Sequence, residues 1–313
     1  MESEIIVREY RTKDAKDILS NEYPWEASFG TIYKDLELKF ISFLEGRPRK
    51  RFVAYSLKEN VAVGTLQLDR ITRNLWHSGG WFVSPSYRRR GIGSLLIEAV
   101  HDYLRIIAVK KVVANIELNN FPSIRTAVKA GWRFFSQAYY QCDAGIKEEL
   151  HEAIFEGDNG ITLTNFHKSS LDILYRIYKS CLIKEWRNFL EIDKDNFLER
   201  FFGYTRARGL LKLWVKNKVM VIKERGDIIG YVQYTLPLRK PMQKTVYLYL
   251  LPTSNAINIL GKILNLLKME GYEEASLVLT NKNRIFMEET ADILQNSFHF
   301  KKAKFLVCYY LLK

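Results

Sequence analysis

The sequence has few cysteines and no long apolar run, and each absence excludes a class of protein. Its three cysteines, Cys142, Cys181 and Cys308, lie far apart and form neither a CxxC pair nor a cysteine–histidine cluster. A zinc site and a disulfide framework are therefore not expected, and a reducing cytoplasm is the expected location. The apolar run at residues 305–312 is too short to cross a bilayer, and the opening MESEIIVREY does not resemble a signal peptide. No membrane association is expected.

The composition is that of a globular chain with a basic surface. Of its 313 residues, 47% are hydrophobic and 27% are charged, which predicts about two domains of ordinary size. The net charge of +13 indicates either a solvated lysine-rich surface or an anionic partner. Nucleic acid is not favoured as that partner, because no recognisable nucleic-acid module is visible.

Hydrophobic periodicity predicts an ordered series of strands and helices in the first half. A hairpin turning at Glu59 and Asn60 is followed by a strand that ends at Val83, before Ser84 and Pro85. From Ile92 the apolar residues recur at helical spacing. A strand over residues 112–118 and a short helix stopped by a glycine complete the series.

The second half repeats this pattern weakly. Its predicted hairpin, residues 221–233, resembles the hairpin of the first half, and Gly230 and Gln233 fall where Gly64 and Gln67 do. An amphipathic helix and a strand then follow in the same order, which predicts a duplicated domain. The expected limits are residues 1–143 for the first domain, 144–160 for a polar connector and 161–313 for the second domain.

The turn Arg88-Arg89-Arg90-Gly91-Ile92-Gly93, between a strand and a helix, has the features of an anion site. The first amide groups of a helix lack backbone partners, and the helix dipole favours negative charge there. Glycines let the backbone approach a phosphate, and adjacent arginines add charge-assisted hydrogen bonds. The alternative is a basic helix cap that binds no ligand.

The elements around this turn follow a definite order. The strand, the RxxGxG turn and the amphipathic helix are followed by a strand, Asn120-Phe121-Pro122-Ser123, a short helix and Gly131-Trp132. This order resembles the GCN5-related N-acetyltransferase (GNAT) superfamily. The resemblance covers residues 52–135, and in the second half only the order of elements is similar. It implies an α/β (α+β) fold of two tandem GNAT-like domains, each a mixed splayed sheet flanked by helices.

The resemblance also implies acetyl-CoA as co-substrate and assigns residues to it. The pantetheine would pair with Phe82 and Val83, and Asn120 and Ser123 would approach its end. The pyrophosphate would lie on the amides of the turn, formed by Arg88, Arg89, Arg90, Gly91, Ile92, Gly93 and Ser94. The second half, which has Thr253-Ser254-Asn255 after Pro252 and neither an arginine cluster nor a glycine pair, is expected to be a degenerate copy.

Catalysis in this family moves the acetyl group directly to an amine, which must lose a proton before it attacks. Many relatives place an acidic tyrosine seven residues after the asparagine, but that position is Ala127 here. Tyr139 or Tyr140 is a candidate substitute. Glu117 is the first candidate for the base and His77 is the second. Glu26 is a further candidate, for contact with a cationic acceptor.

The sequence therefore predicts an acetyl-CoA dependent N-acetyltransferase that acts on a primary amine of a small molecule or peptide. The alternative is a protein that binds acetyl-CoA as a sensor, or binds a partner, with little catalysis, and the replacement of the tyrosine by Ala127 motivates it. A basic nucleic-acid-associated protein is a third hypothesis. The acceptor and the oligomeric state do not follow from the sequence.

Overall fold

The computed structural model describes residues 5–11, 14, 49–71, 74–146, 160–190, 197, 217–235 and 243–312. These residues form two compact units. The first unit comprises the described residues within 1–134 and 307–313, and the second unit comprises those within 135–306. No helix in the described part of the chain is long and apolar enough to cross a membrane.

The sheet of the first unit begins with four antiparallel strands in chain order. They are β1 (Ile5–Glu9), β2 (Arg49–Ser56), β3 (Val61–Arg70) and β4 (Leu75–Val83). Strand β5 (Lys111–Glu117) then runs parallel to β4. The end of the chain continues this sheet beside β5, where Leu312 donates its amide hydrogen to the Lys110 carbonyl oxygen.

Two helices belong to the first unit. Helix α1 (Ile92–Ile106) connects β4 to β5 and buries Leu96, Val100 and Leu104 against one face of the sheet. Helix α2 (Phe121–Lys129) follows β5 and contributes Ala127 to the same core. The apolar residues of α1 recur at helical spacing, which is why one face of this helix is buried.

The second unit contains the same succession of strands and helices, together with elements that have no described counterpart in the first unit. It contains β6 (Arg133–Gly145), β7 (Ile161–Asn165), α3 (Leu171–Cys181), α4 (Lys184–Leu190), β8 (Asn217–Glu224), β9 (Asp227–Thr235), β10 (Gln243–Leu250), α5 (Ala256–Met269), β11 (Glu274–Leu279) and α6 (Arg284–Phe298). Strands β7 to β10 are antiparallel neighbours, and β11 runs parallel to β10 and antiparallel to β6. Helix α5 buries Ile259, Leu260 and Ile263 in the core of this unit.

Part of the last strand of each copy lies outside the unit that the rest of its copy forms. Strand β6 closes the series of elements in the first half, yet from Phe135 onward its residues belong to the second unit. Strand β12 (Lys301–Leu311) closes the series in the second half, and its residues from Val307 onward belong to the first unit. The compact units are defined by contacts within the fold and do not mark where a repeat ends. The domain limits 1–143, 144–160 and 161–313 therefore stay a prediction.

The two hairpins expected to be copies share an irregularity at the same residue type. The register between β2 and β3 shifts just after Ala54, which is paired with Gly64. The register between β8 and β9 shifts just after Ile222, which is paired with Gly230. A Cβ atom on Gly64 would lie 2.9 Å from the Phe82 carbonyl oxygen, and one on Gly230 would lie 2.7 Å from that of Tyr249. Each hairpin therefore requires glycine where a neighbouring backbone passes close.

Candidate functional site

Strands β4 and β5 of the first unit pair over only part of their length. The parallel register joins Leu75 to Lys111 at one end and Ser78 to Ala114 at the other. Beyond Ser78, β4 continues to Val83 and stays paired with β3, but no pairing with β5 is found in the described part of the chain. The two strands therefore separate after Ser78, as a splayed sheet requires.

A β-bulge lies where β4 leaves β5. Gln67 of β3 is paired with Gly79 and Thr65 with Phe82, so one residue of β3 faces two residues of β4, Gly80 and Trp81. Gly80 has a φ of +60°, a backbone conformation that a side chain would strain. The extra residue brings the Trp81 side chain to the same face as Ser78, because each added residue reverses the side to which a strand points.

The turn before α1 presents free amide groups. Gly91 is the N-cap of α1, with φ at +80°, and no side chain caps the helix there. The amides of Arg88 and Ser94 donate to the carbonyl oxygens of Pro85 and Gly91, at 3.2 and 3.0 Å. The amides between them, those of residues 89–93, find no acceptor in the described part of the chain. Amides without a backbone acceptor, at the positive end of a helix dipole, attract an anion.

The local structure requires glycine at one of the two glycine positions of the turn but not at the other. Gly91 adopts the left-handed conformation, and a Cβ atom there would meet nothing within 4 Å, so backbone strain alone favours glycine. A Cβ atom on Gly93 would lie 3.5 Å from the Cγ2 atom of Thr126 in α2, which is an ordinary contact. The packing of α1 against α2 therefore does not require glycine at residue 93.

Two of the three arginines are oriented by their own turn. The Arg88 Nε atom donates to the Val83 carbonyl oxygen at 3.0 Å, and the Arg90 guanidinium lies 5.0 Å from the centre of the Tyr87 ring. Arg89 has a positive φ of 65°. All three arginines are exposed, so their charge surrounds the free amides without being buried.

The polar backbone groups of Phe82 and Val83 point to opposite sides of β4. The amide of Ser84 donates to the Val63 carbonyl oxygen at 2.9 Å, and Phe82 is paired with Thr65 of the same neighbouring strand. Because hydrogen-bonding groups alternate along a strand, those of Val83 are directed away from β3, towards the separation from β5. Contacts of Phe82 and Val83 with pantetheine stay a prediction, and this geometry favours Val83 for backbone pairing.

Asn120 and Ser123 form the cap of α2. The Asn120 Oδ1 atom accepts from the Ser123 amide at 3.3 Å, while the Asn120 amide donates to the Glu117 carbonyl oxygen at 2.9 Å. This cap explains an asparagine at this position without a ligand. The Asn120 side-chain amide and the Ser123 hydroxyl have no partner in the described part of the chain, and contact with the cofactor stays a prediction.

The two candidate bases lie on one face of the sheet. Ala114 and Ile116 point into the core with α1, so the alternation of β5 directs Asn115 and Glu117 to the opposite face. The Nδ2 atom of Asn115 lies 3.2 Å from the His77 Nε2 atom, a contact in which the imidazole nitrogen accepts. Glu117 is exposed, and its carboxylate has no partner in the described residues. The roles of Glu117 and His77 as bases stay predictions.

The position of the missing tyrosine is inaccessible. Ala127 is fully buried in the core of the first unit. Tyr139 and Tyr140 belong to the second unit, where Tyr139 stacks on Phe305 at 5.1 Å between ring centres. Burial raises the pKa of both tyrosines, so neither phenol is made a stronger acid. Glu26 lies outside the described residues.

The sequence reasoning did not single out Trp81 and Ser78. The Trp81 Nε1 atom donates to the Ser78 Oγ atom at 2.7 Å, which fixes the indole at the point where β4 and β5 separate. The adjacent glycines Gly79 and Gly80 inside a predicted strand are the signal that indicates a bulge there.

The corresponding turn of the second unit is occupied by a side chain of the chain itself. After β10, the Thr253 Oγ1 atom lies 3.2 and 3.3 Å from the carboxylate oxygens of Glu224, and the Asn255 side-chain amide donates to the same carboxylate. The Leu250 carbonyl oxygen accepts from the Nδ2 atom of Asn281 at 2.6 Å. An acidic group therefore lies at this turn, where the first unit has exposed arginines.

Comparisons with known proteins agree with this arrangement. The model of the acetyltransferase (GNAT) family matches residues 12–132. A GCN5-related N-acetyltransferase from Sphaerobacter thermophilus is similar over 100% of this chain and 97% of its own, with 13% identity and a TM-score of 0.65. A tandem GNAT protein from the clavulanic acid biosynthesis pathway is similar over 99% of both chains, with 13% identity and a TM-score of 0.58. No curated protein matches the chain in sequence.

The two units thus have the fold of tandem GNAT proteins, which confirms the fold class expected from the sequence. Residues 12–132 match the model of the GNAT family of acetyltransferases, a family whose co-substrate is acetyl-CoA. The turn at residues 88–93 and the separation of β4 from β5 both lie within this matched segment.

Proposed function

We propose that the first unit binds acetyl-CoA in the separation between β4 and β5 and transfers its acetyl group to a primary amine. The observation that carries the proposal is the run of free amides at residues 89–93, at the start of α1 and beside the separated strands. The pyrophosphate of CoA would accept from these amides, while the amide of Val83 would pair with the pantetheine. The cytoplasmic location and the nature of the acceptor stay predictions.

The transfer breaks the carbon–sulfur bond of the thioester and forms a carbon–nitrogen bond to the amine. The amine must first lose a proton, and Glu117 is the group that we assign to accept it, with His77 as the second candidate. The departing thiolate takes up a proton from solvent, since Ala127 is buried and carries no acid. Loss of one general acid typically costs about 10²–10⁴-fold in rate, so turnover without a tyrosine is slow rather than absent.

Binding is tested first, because it requires no knowledge of the acceptor. The double variant Gly91→Glu, Gly93→Glu places two carboxylates beside the phosphates, and like charges about 4 Å apart cost about 4 kcal/mol near a protein surface. We expect at least about a hundredfold weaker binding of acetyl-CoA, measured by calorimetry. Ser254→Glu is the control, because it adds a carboxylate to the corresponding turn of the second unit and should leave the affinity unchanged. Equal affinity in a folded double variant would contradict the site.

Catalysis is tested by release of free CoA thiol with a panel of polyamines, peptides and aminoglycoside-like amines. Glu117→Gln should lower kcat by about 10²–10⁴-fold and leave the dissociation constant of acetyl-CoA unchanged, because it removes only the base. The control is Glu98→Gln, which removes an exposed carboxylate on α1. An unchanged kcat for Glu117→Gln would transfer the role to His77.

A second candidate function is an acetyl-CoA sensor with little catalysis. The observation that favours it is the burial of Ala127 in the core, which leaves no room for an acid at that position. Tight binding of acetyl-CoA with no thiol release on any amine of the panel would support the sensor. Turnover above the uncatalysed rate would support the enzyme.

A further inference from the structure

We propose that Trp81 limits the length of the acyl group that the first unit accepts from CoA. The inference rests on the proposed function, since it assumes that the thioester lies between β4 and β5. It concerns the donor, whereas the assignment of Glu117 concerns the amine.

The indole of Trp81 is fixed where the two strands part. Ser78 is the last residue of β4 paired with β5, and the Trp81 Nε1 atom donates to its hydroxyl at 2.7 Å. The bulge at Gly80 places Trp81 on the face of the sheet that packs against α1. Trp81 is only partly buried, so part of the residue is accessible to solvent.

A series of aromatic rings in contact with one another packs against the Trp81 indole. Trp81 meets Trp132 edge to face, with 5.5 Å between ring centres and 82° between planes. The Trp132 Nε1 atom donates to the His101 Nε2 atom at 3.1 Å, and His101 stacks on Tyr310 at 3.9 Å. Tyr310 in turn packs over Gly131, where a Cβ atom would lie 3.3 Å from its ring. Because each ring is backed by the next, Trp81 cannot swing aside without disturbing its neighbours.

In this arrangement the indole is fixed at the end of the opening where β4 and β5 begin to pair. A CoA thioester that lies on the free amides of residues 89–93 enters from the wide end, so the acyl carbons advance towards Ser78 and the indole. An acetyl group places one carbon beyond its carbonyl, and each further methylene would have to displace the ring. Removing the indole would leave an apolar space in which additional methylenes are buried.

The main experiment compares Trp81→Ala with the wild-type chain, using acetyl-, propionyl-, butyryl- and hexanoyl-CoA. Dissociation constants are measured by calorimetry, which requires no acceptor. We expect the wild type to bind acetyl-CoA more tightly than butyryl-CoA. In Trp81→Ala the ratio of affinities should shift towards butyryl-CoA by about tenfold or more, because two methylenes become buried. Trp81→Phe, which keeps a smaller ring, should give an intermediate shift and serves if the alanine variant does not fold.

Two further variants test the support of the indole. Ser78→Ala removes its acceptor, and Tyr310→Ala removes the last ring of the stack; each should shift the ratio in the same direction by a smaller factor. Tyr310→Phe keeps the stacking and should restore the wild-type ratio, which a general loss of stability would not do.

The outcomes separate the two proposals. A wild-type chain that binds no CoA thioester overturns the proposed function and this inference together. A wild type that binds acetyl-CoA, with folded Trp81 variants that keep the same acetyl-to-butyryl ratio, overturns the inference alone.

Discussion

The sheets of the two units differ at the strand that precedes the turn. In the first unit, β4 leaves β5 after Ser78, five residues before Val83. In the second unit, β10 stays paired with β11 as far as Leu248, two residues before its own end at Leu250. Val83 and Leu250 correspond, because each is paired with the glycine at the irregularity of its hairpin. The corresponding parallel strands therefore separate early in the first unit and stay paired almost to the end of β10 in the second unit.

The bulge accounts for the difference. The register between β9 and β10 runs without interruption from Tyr234 to Gly230, whereas β4 has an extra residue at Gly80. A bulge bends its strand and increases the local twist, which turns β4 away from β5. In the second unit, the Leu250 carbonyl oxygen also accepts a hydrogen bond from the Asn281 side chain. We infer that the proposed cofactor site of the first unit depends on an irregular strand as well as on its turn.

The largest effect should come from the glycine that both hairpins share. Gly230→Ala would place a Cβ atom 2.7 Å from the Tyr249 carbonyl oxygen and 2.8 Å from the Leu250 Cδ1 atom. Gly64→Ala would place a Cβ atom 2.9 Å from the Phe82 carbonyl oxygen. We expect each to lower the free energy of unfolding by about 1–3 kcal/mol, with Gly230→Ala the worse. Hydrogen exchange resolved by unit measures this effect.

The control for these variants is Gly145→Ala, where the nearest atom is 3.8 Å away and the contact is ordinary. Equal stability of all three variants would show that close backbone approach is not what keeps the two glycines, and the correspondence of the hairpins would lose its physical basis.

Acid should destabilise the first unit before the second. Burial lowers the pKa of His101 to about 4, and its Nε2 atom must stay unprotonated to accept from Trp132. Since the unfolded pKa is near 6.5, the unfolded state binds the proton first, so stability is lost as the pH falls from about 6.5 towards 4. In the described part of the second unit the histidines, His167 and His299, are exposed.

Unit-resolved hydrogen exchange between pH 7 and pH 4.5 measures this difference, and His101→Gln should flatten the response of the first unit. If both units lost protection at the same pH and His101→Gln did not alter this, the role of His101 would be contradicted.

The smallest effect concerns the two helix caps. Asn120 accepts from the Ser123 amide at the start of α2, and Asn283 accepts from the Phe286 amide at the start of α6. Asn120→Ala and Asn283→Ala should each cost about 0.5–2 kcal/mol of stability, measured by denaturant unfolding. If Asn120 also contacts the cofactor, only its variants weaken acetyl-CoA binding.

Asn120→Asp sharpens this test, because aspartate keeps the cap and removes the side-chain amide donor. Unchanged affinity in Asn120→Asp would assign Asn120 to the helix cap alone, as Asn283 is in the second unit.

Much of the first unit could be predicted from local sequence. The RxxGxG turn, the amphipathic helix after it and the Asn120 cap are short-range features, because helix starts depend on a few adjacent residues. The separation of β4 from β5 and the support of Trp81 could not, since they depend on Ser78, Trp132, His101 and Tyr310, which are distant in sequence. The exchange of last strands was likewise not predicted, because a strand sequence carries its side-chain alternation but not the identity of its neighbours.

By itself, the sequence determined a basic globular chain with a duplicated order of elements, a single arginine–glycine turn and no tyrosine at Ala127. The tertiary structure alone decided which amides of that turn are free, that Ala127 is buried, and that Glu224 fills the corresponding turn of the second unit. The physical reason is the sequence distance over which each effect acts. Propensity and charge act along the chain, whereas the accessibility of a hydrogen-bonding group depends on what the folded chain brings beside it.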